Sequence, residues 1–144
     1  MKKIIALAIV LIFVIGSCKK YPEGPAFTIL TKRNRLENSW VIQQVIENGV
    51  DKTSDYKNVY KDYNLIIDKK GPYSASYTFL GFAISEAGSW AFNGDKTFVI
   101  FDPSSNNNGN TSWKIMKLKD KELWALDDDF NGTGNDVEFH MIPK

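Results

Sequence analysis

The chain has 144 residues, 43% hydrophobic and 24% charged, a length that suits one domain. Eighteen basic residues against 17 acidic ones leave no positive surplus, which excludes the strongly basic surface of a nucleic-acid binder. One cysteine and one histidine exclude an internal disulfide, a cysteine-rich zinc site and any centre that needs several imidazoles.

Lys2-Lys3 is followed by an unbroken apolar run, Ile4 to Ile15 (IIALAIVLIFVI). A helix of that length reaches roughly 18 Å, short of the ~30 Å hydrocarbon core, so the run reads as the apolar part of a signal peptide. It ends in Ile15-Gly16-Ser17-Cys18, and the chain's only cysteine closes this motif. The motif resembles the lipobox of bacterial lipoproteins. The resemblance implies cleavage before Cys18, a diacylglyceryl thioether on its sulfur and an acyl group such as palmitate on the new amine. Residues 1–17 are then a signal peptide, and 18–25 are the lipidated cysteine with a Pro- and Gly-containing tether (KKYPEGP). Residues 26–144 form the folded domain. Loss of Lys2 and Lys3 leaves 16 basic residues against 17 acidic ones. Several acyl chains on one cysteine hold a protein at a membrane, since each buried CH₂ contributes roughly 0.8 kcal/mol. The expected location is the cell envelope. Lys19-Lys20 lacks the aspartate linked to inner-membrane retention, which favours the outer membrane.

In the domain, Ala26 to Leu36 places Phe27 and Leu30 three apart and Ile29 and Leu36 seven apart, which predicts a short helix with one apolar stripe. From Trp40 the period changes to two. Short aromatic and β-branched runs alternate with Gly, Asn, Asp and Pro, the signature of strands. The runs are Ser39–Ile46, Tyr60–Asp68, Tyr73–Leu80, Ile84–Asn93, Thr97–Phe101, Thr111–Leu118, Lys121–Asp127 and Asn135–Ile142. A long connection from Asn48-Gly49 to Val59 joins the first two. Asn93-Gly94-Asp95 is a hairpin turn, because Asn-Gly supplies the positive φ such turns need. Eight strands with mostly short connections predict an all-β domain: an eight-stranded antiparallel up-and-down barrel preceded by a short N-terminal helix. A β-sandwich is the alternative.

Leu36-x-x-x-Trp40 opening the first strand, the long first loop, the segment Gly24-Pro25 to Leu36, and the ending Glu122-Leu123-Trp124 … Glu138-Phe139-His140 resemble the small lipocalin-like lipoproteins of Bacteroidota. The resemblance implies a lipocalin-like barrel. Ligand-carrying lipocalins begin the first strand with Gly-x-Trp and place a late arginine against that tryptophan. Here Asn38 stands at the glycine position, and no arginine follows Arg35.

Function has to be read from the barrel's contents. From Leu36 onward there are 16 aromatic residues, for about two dozen inward positions. The simplest expectation is a packed aromatic core, with Tyr56 and Phe130 in loops. The functional alternative is an apolar pocket at the open end, lined by Tyr77, Trp90, Phe92 and Trp113, for a small apolar or amphipathic ligand. A third is an exposed aromatic platform for sugar rings. Asp127 to Glu138 fits the calcium-loop pattern, with Asp127, Asp129, Asn131 and Glu138 as oxygen donors. Its strand-like flanks and Gly134 instead suit a solvated acidic hairpin loop. His140 reads as a surface or rim residue. No catalytic constellation and no cofactor motif stands out. The expectation is a non-enzymatic, membrane-anchored protein that binds a small ligand, or else an envelope module that docks a protein or glycan.

Overall fold

The computed structural model describes residues 29–104 and 109–144, with the side chain of Asn131 left aside. The leader, Cys18 and the tether lie outside the described residues.

A five-residue helix, α1 (Lys32–Leu36), leads into β1 (Asn38–Glu47). Thr31, with extended backbone, caps α1 by accepting a hydrogen bond from Asn34 N through its side chain. This cap makes the helix shorter than the 26–36 reading. Residues 26–28 fall outside the described part, while Ile29 (92% exposed) and Leu30 (40%) precede the cap and do not form the expected stripe. Only Arg35 and Leu36 are buried from this helix.

Asn48 and Gly49 turn the chain into a two-residue strand, β2 (Val50–Asp51), which folds back on β1. Helix α2 (Thr53–Val59) follows, within the connection from Asn48-Gly49 to Val59, where the sequence predicts no helix. Seven strands complete the sheet: β3 (Lys61–Ile67), β4 (Pro72–Phe79), β5 (Phe82–Phe92), β6 (Phe98–Pro103), β7 (Thr111–Lys119), β8 (Glu122–Asp127) and β9 (Val137–Pro143). Each long strand pairs antiparallel with the next, and β9 pairs with β1 from Trp40↔Pro143 to Glu47↔Val137. That last ladder closes the sheet. The result is an eight-stranded antiparallel barrel with β2 as a short appendage, so the sandwich alternative is excluded. Closure removes two edges that would otherwise expose unpaired backbone groups.

One end is sealed by α1 and the turns 67–72, 92–98 and 119–122. Leu36 and Trp40 are fully buried there, and Trp40 Nε1 donates to Leu36 O at 2.9 Å. Arg35, buried, donates to Leu118 O, so the arginine of the closed end comes from before the first strand. Arg33 lies over the Trp90 ring, 4.6 Å from its centroid. The other end is open in topology, and α2 lies across it. The interior between the two is apolar, with Val45, Leu65, Ile67, Ile115, Leu123 and Met141 each buried.

Candidate functional site

At the open end the walls are unequal. β4 and β5 pair along their whole length up to Phe79↔Phe82, but β6 pairs with β5 only from Gly88 to Phe92. The β4–β5 hairpin therefore rises past the rim. Alternation puts Tyr73, Ala75, Tyr77 and Phe79 on its inner face, opposite Gly88, Glu86, Ile84 and Phe82. Above the rim this face is apolar and uncovered: Phe82 is 73% exposed, Ile84 38% and Phe79 37%.

The mouth itself is filled by rings. Tyr60 packs edge-on against Tyr77 at 5.3 Å, and Tyr63 stacks on Tyr77 at 6.2 Å. Tyr56, on α2, reaches Tyr60, Phe130 and Phe139 at 5.8, 5.8 and 6.1 Å. Phe139 stacks on Trp113 at 5.4 Å, and Trp113 meets Phe101 at 5.1 Å. Tyr56 and Phe130 do sit in connections, as expected, yet both fold back against the core. At this height the interior holds packed side chains.

Two open clefts flank the tyrosines. The larger, about 450 Å³, lies where β1 and β3 part and α2 crosses the gap. Those strands pair only over Asn38–Trp40 and Leu65–Ile67. Beyond that, α2 satisfies β1: Thr53 Oγ1 accepts from Val45 N, and Lys57 Nζ donates to Gln43 O. Val41, Ile42, Tyr60 and Tyr63 line this cleft, together with Lys57, Lys61, Lys144 and a single carboxylate, Asp62. The smaller, about 240 Å³, runs along the hairpin past Tyr77 and Ile84 and shares Asp62. Asp62 has φ 56 and sits in a register shift between Lys61 and Asn64. This bulge turns Tyr60 toward Tyr77. Deeper on the same wall, Tyr73 donates its hydroxyl to Glu86 Oε1 at 2.6 Å. Burial, then the Glu86 carboxylate, push the Tyr73 and Tyr63 hydroxyls well above the usual phenol range. Burial does the same to Tyr77, and to Tyr56, which is pushed up to about 12. These phenols remain hydrogen-bond donors at neutral pH.

The four aromatic residues expected to line a pocket do not come together. Tyr77 lines the smaller cleft. Trp113 is buried in the ring network, its Nε1 donating to Asp127 Oδ2 at 3.2 Å. Trp90 and Phe92 lie near the closed end, 5.2 Å apart, and Trp90 Nε1 donates to Asp68 O at 2.7 Å. The expectation placed Trp90 and Phe92 at the open end; they lie at the other end, because a period of two fixes the face of a side chain and not its height along the strand. Tyr60, Tyr63 and Glu86 were missed as site residues. The even-numbered spacing of Glu86 from Trp90 carried a signal for its facing.

The calcium-loop residues also separate. Asp127 faces inward to Trp113, whereas Glu138 Oε1 meets His140 Nε2 at 2.5 Å beside Trp124, whose ring stacks on the imidazole at 4.0 Å. Asp127 pairs with Val137, so the next residue, Glu138, points to the opposite side of the wall. Asp129 Oδ1 accepts from Gly134 N at 2.8 Å within the loop. Among the described residues, no three His, Cys, Asp or Glu side chains gather as metal ligands. His140 is 7% exposed, covered by its neighbours rather than free at a rim.

Burial raises the pKa of Asp127, against hydrogen bonds from Asp129 N and Trp113 that lower it. A carboxyl raised in the folded state favours folding below its unfolded pKa, and that contribution is lost as pH rises through the folded value. Asp127→Asn keeps an acceptor for Trp113. Urea midpoints measured between about pH 4 and pH 7 should show the variant gaining on the parent as pH rises, with any deficit confined to the acid end.

With the barrel and its mouth described, the class is plain: the chain has the lipocalin-like fold. A lipocalin-like protein from Bacteroides uniformis superposes with a TM-score of 0.54 at 14% identity, over 76% of this chain and 99% of that one. A deswapped triple mutant of bovine odorant binding protein gives 0.47 at 13% identity, over 76% and 74% of the two chains. Bovine odorant binding protein complexed with its natural ligand gives 0.48 at 14%, over 82% and 77%. No family model matches the sequence, and no curated protein matches it.

Proposed function

We propose that this is a lipid-anchored, non-enzymatic binding protein of the cell envelope, facing the periplasm or the cell surface. Its ligand is a small amphipathic molecule held at the open end of the barrel. The lipobox ending in Cys18 supports the anchor. The observation that carries the binding reading is the larger cleft, where an apolar floor of Val41, Ile42, Tyr60 and Tyr63 meets three lysines and one aspartate. An apolar body would lie on the floor, while an acidic head would meet Lys57, Lys61 and Lys144. The phenol hydroxyls offer further donors. Among the lining side chains, lysines outnumber carboxylates three to one, which favours an anionic head over a cationic one. The likeness to a lipocalin-like protein from Bacteroides uniformis supports the scaffold alone. The ring-filled interior supports a second reading, an envelope module that docks a protein or glycan on its outer surface.

The test uses two naphthalene probes that differ in charge. 1-Anilinonaphthalene-8-sulfonate should bind with enhanced fluorescence, and Lys61→Glu, an exposed substitution, should weaken it about tenfold, equivalent to ~1.4 kcal/mol. Neutral N-phenyl-1-naphthylamine should be unaffected by the same change. Equal loss for both probes, or no binding of either, would overturn the anionic-head reading.

A further inference from the structure

The tip of the β4–β5 hairpin carries an anomaly that the fold does not explain. Leu80 and Gly81 have φ 50 and φ 86. Asn48 and Gly49, in the turn between β1 and β2, take nearly the same angles, φ 49 and φ 81. Such two-residue turns call for Asn-Gly, because a branched apolar residue at positive φ is strained. The chain meets that demand at one turn and violates it at the other. Leu80 gains nothing from the fold in return, being 81% exposed. Around it, Ser76 to Ser85 (SYTFLGFAIS) holds no charged residue. Phe79, Leu80, Phe82 and Ile84 form one protruding apolar point, with Tyr60 and Tyr77 just behind it.

We propose that the Phe79-Leu80-Gly81-Phe82 tip inserts into the interfacial layer of a lipid bilayer. Projecting side chains with no charge among them suit a fluid acyl medium, where any charge would be costly to desolvate. Tyr60 and Tyr77 stand where an apolar body and a hydroxyl tip fit the boundary between lipid and water. Reach is sufficient. The chain enters the barrel at the closed end, and from Cys18 to Ile29 it can extend at most about 36 Å, close to the length of a ten-residue strand. A barrel tethered at Cys18 can therefore lie down and bring its tip to the same membrane. Only this estimate of reach rests on the lipid-anchor reading. Insertion itself depends neither on the anchor nor on occupancy of the clefts.

The chain starting at Lys19 lacks the lipidation site and keeps every residue of the closed barrel, so it isolates the tip. It is floated with vesicles of phosphatidylethanolamine and phosphatidylglycerol, while sedimentation velocity reports its oligomeric state. The parent should float with the vesicles. Leu80→Asn should cut the floated fraction about tenfold, with an unchanged or higher melting temperature because Asn-Gly relieves the turn. Phe82→Ser should reduce flotation similarly while the circular dichroism spectrum stays that of the parent. Binding of 1-anilinonaphthalene-8-sulfonate should be the same in Leu80→Asn and the parent, which separates tip from cleft. A parent that does not float overturns the proposal, as does a Leu80→Asn variant that floats equally well. Loss of a dimer in Leu80→Asn without any lipid binding also overturns it and assigns the tip to a second copy of the chain.

Discussion

Trp40→Ala should destabilise the barrel by about 3–5 kcal/mol and lower its melting temperature by more than roughly 10 °C. Trp40 is fully buried where α1, β1 and the closing strand β9 meet, and it pairs with Leu65 on one side and Pro143 on the other. Truncation empties the volume of an indole at the point where the sheet shuts. It also leaves Leu36 O without the donor that Nε1 supplies at 2.9 Å. Trp40→Phe separates these two losses. It keeps much of the ring and removes the hydrogen bond, so its cost should be smaller, about 1–3 kcal/mol. Urea unfolding of the two variants, read by the remaining tryptophans, gives both values. Equal costs would mean that the hydrogen bond, not packing, holds this end together.

Gly88→Ala should have the second large effect. A Cβ on Gly88 would stand 2.1 Å from Asp102 O, 2.9 Å from Asp102 C and 2.8 Å from Pro103 Cα. All three are backbone atoms of β6, so no side chain can swing aside. The strands must part, and overpacking of this kind costs about 1–3 kcal/mol, sometimes more. β5 and β6 pair through only five residue pairs, starting at Gly88↔Pro103. Separation there should speed amide exchange at Ser104, which donates to Ala87 O at 2.9 Å. Gly94→Ala is the control, since nothing lies within 4 Å of its Cβ and its φ is not positive: the turn expected to use Asn93-Gly94 for its positive φ places it at Lys96 instead, φ 59. Its effect should stay within about 0.5 kcal/mol. A Gly88→Ala variant as stable as Gly94→Ala would show that β6 shifts freely at this point.

Both substitutions act on the scaffold, and both should also reduce probe binding indirectly, because the clefts depend on how the walls diverge. Lys61→Glu and Leu80→Asn change the surface and leave the scaffold alone. A protein whose clefts and tip are both silent in those assays would retain only the reading as a docking module.

Local chemistry was legible in the chain. Tyr73, Ala75, Tyr77 and Phe79 alternate with Ser74, Ser76 and Thr78, which separates the two faces of a strand, and β4 keeps that separation. Polar and Gly-rich breaks separated the runs, so eight long strands could be counted before any were seen to pair. Helix α2 was harder to read. Its seven residues, TSDYKNV, bury no residue fully and so carry no apolar period, and the signal was the acceptor Asp51 just before it. The acceptor role has a trace in the structure, where hydrogen bonds from Thr53 and then Gln44 hold the Asp51 carboxyl down at about 2.

The sequence by itself determined the eight long strands and their order, because period and turn chemistry are properties of neighbouring residues; β2 and α2, too short to carry a period, it did not. Tertiary structure decided closure, since only the ladder between β1 and β9 distinguishes a barrel from two stacked sheets. It also decided which rings share a space. Trp90 and Tyr77 lie on paired strands with inward faces, yet one serves the closed end and the other the mouth. Height along a strand depends on register against distant strands, and Tyr60 joins the mouth only because the bulge at Asp62 breaks the alternation. Such long-range geometry leaves no mark in a period of two.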